Sequence, residues 1–70
     1  MYSCWYEVVR NNGRLETHYH DYSFSYKEAE EHLRNLIGIP TVVRAWIEVR
    51  TRTTSDVVFR WTEEGGFEIL

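Results

Sequence analysis

The alternation of apolar and polar positions is sharpest between Thr41 and Trp61, TVVRAWIEVRTRTTSDVVFRW. Val43, Ala45, Ile47 and Val49 fall on one parity, and Arg44, Trp46, Glu48, Arg50 and Arg52 on the other. Side chains alternate across a strand, so this run predicts a strand with one apolar and one arginine-rich face. A second run follows, with Val57, Phe59 and Trp61 alternating with Val58, Arg60 and Thr62. Thr-Thr-Ser-Asp between the two reads as a hairpin connection. A four-residue loop over 53–56 would mix the faces. The pattern therefore predicts an odd loop, or a bulge with the same effect. Trp46 is the exception, an indole among arginines on the face that should be wet.

Residues 2–10, YSCWYEVVR, are rich in aromatic and β-branched types and run into Asn11-Asn12-Gly13-Arg14. Asn12-Gly13 as the central pair of a type I′ turn closes a second hairpin. That register sets Val9 opposite Glu16, Glu7 opposite His18 and Trp5 opposite His20. One face then holds Cys4, Tyr6, Val8, Leu15, Thr17 and Tyr19. The other holds Trp5, Glu7, Val9, Glu16, His18 and His20. The first set is less charged and is assigned to the core, an assignment that a one-residue slip would reverse. Ser25-Tyr26-Lys27-Glu28 is a capping box, with Phe24 placed to staple onto Ala29. The helix it opens, Tyr26 to Ile37, carries Tyr26, Ala29, Leu33, Leu36 and Ile37 on one stripe. Gly38 suits a left-handed residue after the last turn, and Pro40 prevents continuation. After Glu63-Glu64-Gly65-Gly66, the apolar Phe67–Leu70 is read either as a short last strand returning onto Trp61 or as cover for the core edge.

These elements, in order, predict an α+β fold: a two-layer ββαββ domain over residues 1–70, with Phe67–Leu70 as the candidate fifth strand. One amphipathic helix covers one face of one antiparallel sheet. The other face stays open, carrying Trp5, Val9, His18, His20, Trp46 and Val58 among Arg44, Arg50, Arg52, Arg60, Glu7, Glu16 and Glu48.

Composition changes this picture in three places. Aromatics make up 16% of the residues, and in so small a chain they are the expected source of core area. Cys4 is the only cysteine, so no internal disulfide staples the fold, and it is read as a small core residue. The net charge of −3 argues against nucleic acid as partner, and seven arginines against one lysine fit equally a surface built for contact and a GC-rich coding bias. No apolar run reads as a signal peptide or a membrane span, so a cytoplasmic location is expected.

The candidate binding surface is Trp5, Val9, Arg44, Trp46, Glu48, Arg50, Arg52, Val58 and Arg60, with the tryptophans as anchors and the arginines as rim. The alternative for Trp46 is local packing beneath arginine stems. His18, His20 and Glu7 form a candidate facial metal set. The competing and preferred reading is cross-strand His–Glu pairing on a wet face. No nucleophile motif, phosphate-cradling loop or cofactor fingerprint is present. A domain this small is expected to offer little room for a pocket of the usual ~300 Å³ or more. No enzyme activity, cofactor or metal is therefore expected. The leading expectation is a non-enzymatic module that binds another protein. A homodimer burying the same face, and an RNA or single-stranded DNA binder using the Arg/Trp face, are the alternatives.

The segments WYEVVRNNGRLE and TVVRAWIEVRTRTTSDVVFRW resemble the small, arginine-rich, single-domain accessory proteins encoded by phages of GC-rich actinobacteria. The resemblance covers most of the length and is one of compact size, Arg in place of Lys and no catalytic motif. No family motif transfers residue by residue. It implies a protein of the bacterial host's cytoplasm that binds one host or competing-phage component and blocks or redirects it. Such proteins are often far more acidic when they mimic nucleic acid, and −3 departs from that.

Overall fold

In the computed structural model, which describes residues 1–70, the two alternating runs form β3 (Val42–Arg50) and β4 (Ser55–Thr62). β1 (Tyr2–Val9) and β2 (Leu15–Ser23) make the first hairpin, α1 (Tyr26–Leu36) follows, and β5 (Gly66–Ile69) comes last. All five strands pair antiparallel in the order β2-β1-β3-β4-β5. α1 packs over β1, β2 and β3 on one face. The protein is therefore the two-layer α+β domain its pattern predicts. The crossover through α1 sets β3 beside β1, and these two central strands carry most of the buried strand residues: Cys4, Val8, Val42, Ala45 and Ile47.

Ser25 is extended, and its hydroxyl accepts the Glu28 amide at 3.2 Å. Only this half of the capping box forms. Phe24 is 86% exposed, so it does not staple the helix. Ala29, Leu33 and Leu36 are buried, as the stripe predicts, and Arg34 pairs with Glu30 at 2.9 Å on the wet side. Gly38 is not left-handed. The helix ends instead through a last i→i−4 bond from Ile37 N–H to the Leu33 carbonyl and a tighter one from Ile39 N–H to the Leu36 carbonyl, which satisfy two of the last four acceptors. Cys4, Ala29, Leu33, Leu36, Ala45, Ile47 and Phe59 form the core cluster, with Tyr2, Tyr6, Tyr26, Ile37, Val58 and Trp61 packed around it. Partly buried aromatics thus supply much of the area that a small chain needs.

Register departs from the sequence pattern in four places, and each moves side chains between faces. First, of the Asn12-Gly13 pair only Gly13 takes a positive φ, +81°. Its N–H donates to the Arg10 carbonyl, and Arg10 N–H donates to the Arg14 carbonyl, both at 2.8 Å. The loop is therefore three residues, a turn closed by a left-handed glycine rather than a type I′ pair. Val9 faces Leu15, Glu7 faces Thr17 and Trp5 faces Tyr19. Leu15, Thr17 and Tyr19 accordingly lie on the open face and not in the core, whereas Glu16 and His18 lie opposite Val8 and Tyr6. Second, a bulge at His20 restores the Cys4–Asp21 pair and sets Tyr22 opposite Ser3. Third, β3 skips Val43 against β1, so Val42, 3% exposed, takes the core position assigned to Val43. Fourth, the loop between β3 and β4 is Thr51–Thr54, and a bulge at Val58 keeps Ile47 opposite Phe59. This is the bulge alternative that the mixed faces called for. It exchanges the two valines: Val57 faces Glu48 on the open side, and Val58 packs against the core.

β5 pairs with β4, placing Phe67 beside Phe59 at 5.6 Å between ring centroids. The tail is held by backbone pairing, but Ile69 remains 81% and Leu70 54% exposed, so only part of its apolar surface is covered.

Candidate functional site: the open sheet face

A row of side chains crosses all five strands on the face away from the helix: Tyr19, Trp5, Trp46, Arg60 and Glu68, each paired with the next. Alternation makes this inevitable once the registers are set, because partners in a ladder share a face. On one side of the row stand Tyr22, Ser3, Glu48 and Val57, and on the other Thr17, Glu7, Arg44 and Thr62. Trp5 and Trp46 are half-buried, while Tyr19 and Tyr22 are 45% and 55% exposed. The Trp5 ring meets Tyr19 edge-on at 5.3 Å, and Tyr19 meets Tyr22 at 5.8 Å. The Trp5 indole N–H donates to the Ser3 hydroxyl at 3.0 Å, so its polar atom is satisfied within the sheet. Partial desolvation, then Tyr22 and Asp21, raise the Tyr19 phenol above its ordinary value.

The arginines divide into two kinds. Arg44 lies 3.3 Å from Glu7, and Arg60 bonds Glu68 at 2.7 Å. Glu7 Oε1 is enclosed, and the Arg44 contact does not have hydrogen-bond geometry. Arg50 and Arg52 have no carboxylate partner within 4 Å, and Glu48 has no cationic one. These three line a groove of about 580 Å³ together with Trp5, Tyr19 and Tyr22. The groove corrects the expectation that so small a domain has no such space: it lies over the sheet surface, where α1 takes up none of it. The only guanidinium stacked over an aromatic ring is Arg34 above Phe67, 5.0 Å away on the helix face. A cation–π origin for Trp46 is therefore not what holds it.

Of the predicted surface, Trp5, Glu48, Arg50 and Arg52 share the groove. Trp46 adjoins Trp5 and Arg60, and Arg44 faces Glu7. Val9 sits farther along, in a second hollow with Leu15 and Arg44. Val58 does not belong, for the bulge turns it toward the core. The type I′ turn misplaces Tyr19 because Asn-Asn-Gly makes a three-residue loop, and Tyr22 escapes the pattern because the bulge at His20 turns it to the open face. Asn-Gly permits both loops, and the second would have placed Tyr19 correctly.

The histidines are a correction as well. His18 stacks on Tyr6 at 5.3 Å and lies 3.2 Å from Glu16. His20 meets His32 of α1 at 5.3 Å. Both lie on the helix side, whereas Glu7 is on the open face beside Arg44. The proposed facial set does not assemble, and no three His, Cys, Asp or Glu side chains are grouped to hold a metal. Cys4 is 1% exposed, and burial, then Asp21, pushes its thiol up to about 12, the signature of an inert core cysteine. No helix is long and apolar enough to cross a membrane. No protein-family model, curated protein or solved structure matches the chain, so function must be read from the geometry of this face.

Proposed function

We propose that the protein is a non-enzymatic binding module whose open sheet face engages another protein, with Trp46 and Trp5 as anchors and the arginines as rim. The observation that carries this is the uncovered row Tyr19–Trp5–Trp46–Arg60–Glu68 spanning the sheet. Aromatic and arginine side chains dominate interface energetics because they bring large rigid area and directed hydrogen bonds. A helix-covered core on one side leaves this row free for a partner. Under the resemblance to phage accessory proteins, that partner is a host or competing-phage component in the bacterial cytoplasm, which the protein blocks or redirects.

The test is affinity capture from extract of the source cells with wild type and Trp46→Ala, with nuclease treatment in parallel. The captured partner is then titrated against both proteins. Trp46→Ala should stay folded and weaken binding by about 2 kcal/mol or more, roughly thirtyfold. Nuclease-sensitive capture would point to nucleic acid. A shift from dimer to monomer in sedimentation would point to self-association. A folded, monomeric Trp46→Ala with undiminished binding refutes the reading.

A further inference from the structure

The groove beside the aromatic row has two ends of different chemistry. At one end the rings of Trp5, Tyr19 and Tyr22 touch in sequence, at 5.3 and 5.8 Å. The Trp5 N–H is already bonded to Ser3, so this end presents carbon surface, with the phenol hydroxyls at its margin. At the other end lie Arg50 and Arg52. Four of the seven arginines are spent on carboxylates of this chain: Arg10 on Glu16, Arg34 on Glu30, Arg44 on Glu7 and Arg60 on Glu68. Arg14, in the β1–β2 loop, is not, and neither are Arg50 and Arg52, although the chain carries eleven acidic residues that would neutralise them if the fold brought one near. The nearest acidic neighbour along the strand, Glu48, lines the same groove without closing on either.

Resting on the open-face reading above, we propose that this groove takes an acidic segment of the partner protein. A large apolar or aromatic side chain enters among Trp5, Tyr19 and Tyr22, and adjacent Asp or Glu carboxylates meet Arg50 and Arg52. The charge complementarity is local: in a protein of net charge −3, the free guanidinium groups of Arg50 and Arg52 stand together beside an aromatic wall, whereas the other unpaired cationic side chains, Arg14 and Lys27, lie outside the groove. Guanidinium and carboxylate match in planar, bidentate geometry. A volume of about 580 Å³ holds one side chain with its flanking backbone. Glu48 gives an acceptor for a backbone N–H of the bound segment. Single-stranded nucleic acid fits less well. Its phosphates need a continuous cationic track, and here the track is interrupted by Glu48 and closed at Arg60 by Glu68.

The experiment is selection of a randomised peptide library on the immobilised full chain, in parallel with Trp46→Ala, Tyr22→Ala and the double variant Arg50→Ala/Arg52→Ala. Circular dichroism confirms that each is folded. A labelled copy of the most enriched peptide and a labelled oligothymidylate are then titrated at low and high salt. Wild type should enrich peptides with Asp or Glu next to an aromatic or large apolar residue. The double arginine variant should lose the acidic preference and weaken the labelled peptide roughly tenfold or more. Tyr22→Ala should lose the apolar preference, and added salt should weaken wild type but not the double variant. Enriched peptides without acidic bias, or a bias that survives the double variant, overturn this partner chemistry. If those peptides still depend on Trp46, the open-face reading stands without it. No enrichment on wild type overturns both. Oligothymidylate that binds more tightly than the peptide and displaces it overturns the proposal in favour of nucleic acid.

Discussion

Ile47 and Trp46 are neighbours on β3 and point to opposite faces, so truncating each measures how different those faces are. Ile47 is fully buried beneath α1, opposite Cys4 and Phe59. Ile47→Ala removes three buried carbons, each worth about 0.8 kcal/mol in transfer. The cavity left among Leu33, Ala45 and Phe59 brings the cost to about 3–4 kcal/mol, inside the ~2–5 range for such changes. A chain of seventy residues has a total stability of about 4–10 kcal/mol, so the variant keeps about 0–7 kcal/mol of it and is marginal at the lower end. Its unfolding entropy of about 0.15 kcal/mol per degree puts the fall in Tm at about 20–27 °C. Trp46→Ala loses only half-buried cross-strand contacts with Trp5 and Arg60, each worth about 0.2–1 kcal/mol, so about 0.4–2 kcal/mol together, or about 3–13 °C. Thermal and urea melts at two protein concentrations measure both. Equal costs would refute the assignment of a free face, since Trp46 would then be covered in solution. A Trp46→Ala cost that grows with protein concentration would identify the cover as a second copy.

Two further outcomes follow from the helix entry and the core cysteine. Ser25→Ala should cost about 0.5–2 kcal/mol by leaving the Glu28 amide without its acceptor, while Phe24→Ala should stay within about 0.5 kcal/mol because its ring packs on nothing. Urea titration showing the larger loss at Phe24 would mean that the staple forms after all. Cys4 should resist thiol reagents at neutral pH until the chain unfolds. Its folded thiol titrates near 12 against an ordinary 9.0, so the unfolded chain ionises first. The stability this contributes is whole below about pH 9 and is lost as pH rises toward 12. Tyr19 and Tyr26 are shifted upward as well, so the Cys4 share is read as the difference in slope between wild type and Cys4→Ala melts. Identical slopes would show that the thiol is not held in the core.

The chain's local chemistry was enough to determine its elements. Helical spacing put Ala29, Leu33 and Leu36 on one stripe, Ser25 supplied an N-cap, and alternation marked both runs of the second hairpin. Each of these depends on contacts within a few residues, and their order admits few packings. The anchors Trp5 and Trp46 could be placed on the wet face because strand parity alone decides it. Parity carries only as far as the ladder is regular, and the bulges at His20, Val43 and Val58 broke it. A bulge is fixed by how a strand must bend to keep its neighbour's side chains in the core, which is a property of the assembled sheet. The three-residue loop decided that Tyr19 joins the tryptophans and that His18 and His20 face the helix and part from Glu7, and the bulges of the assembled sheet decided that Tyr22 joins them and that Val57 and Val58 exchange roles. Tertiary structure also decided which arginines are occupied. Arg60 finds Glu68 only because β5 returns beside β4, and Arg50 and Arg52 stay free because no strand brings them a carboxylate.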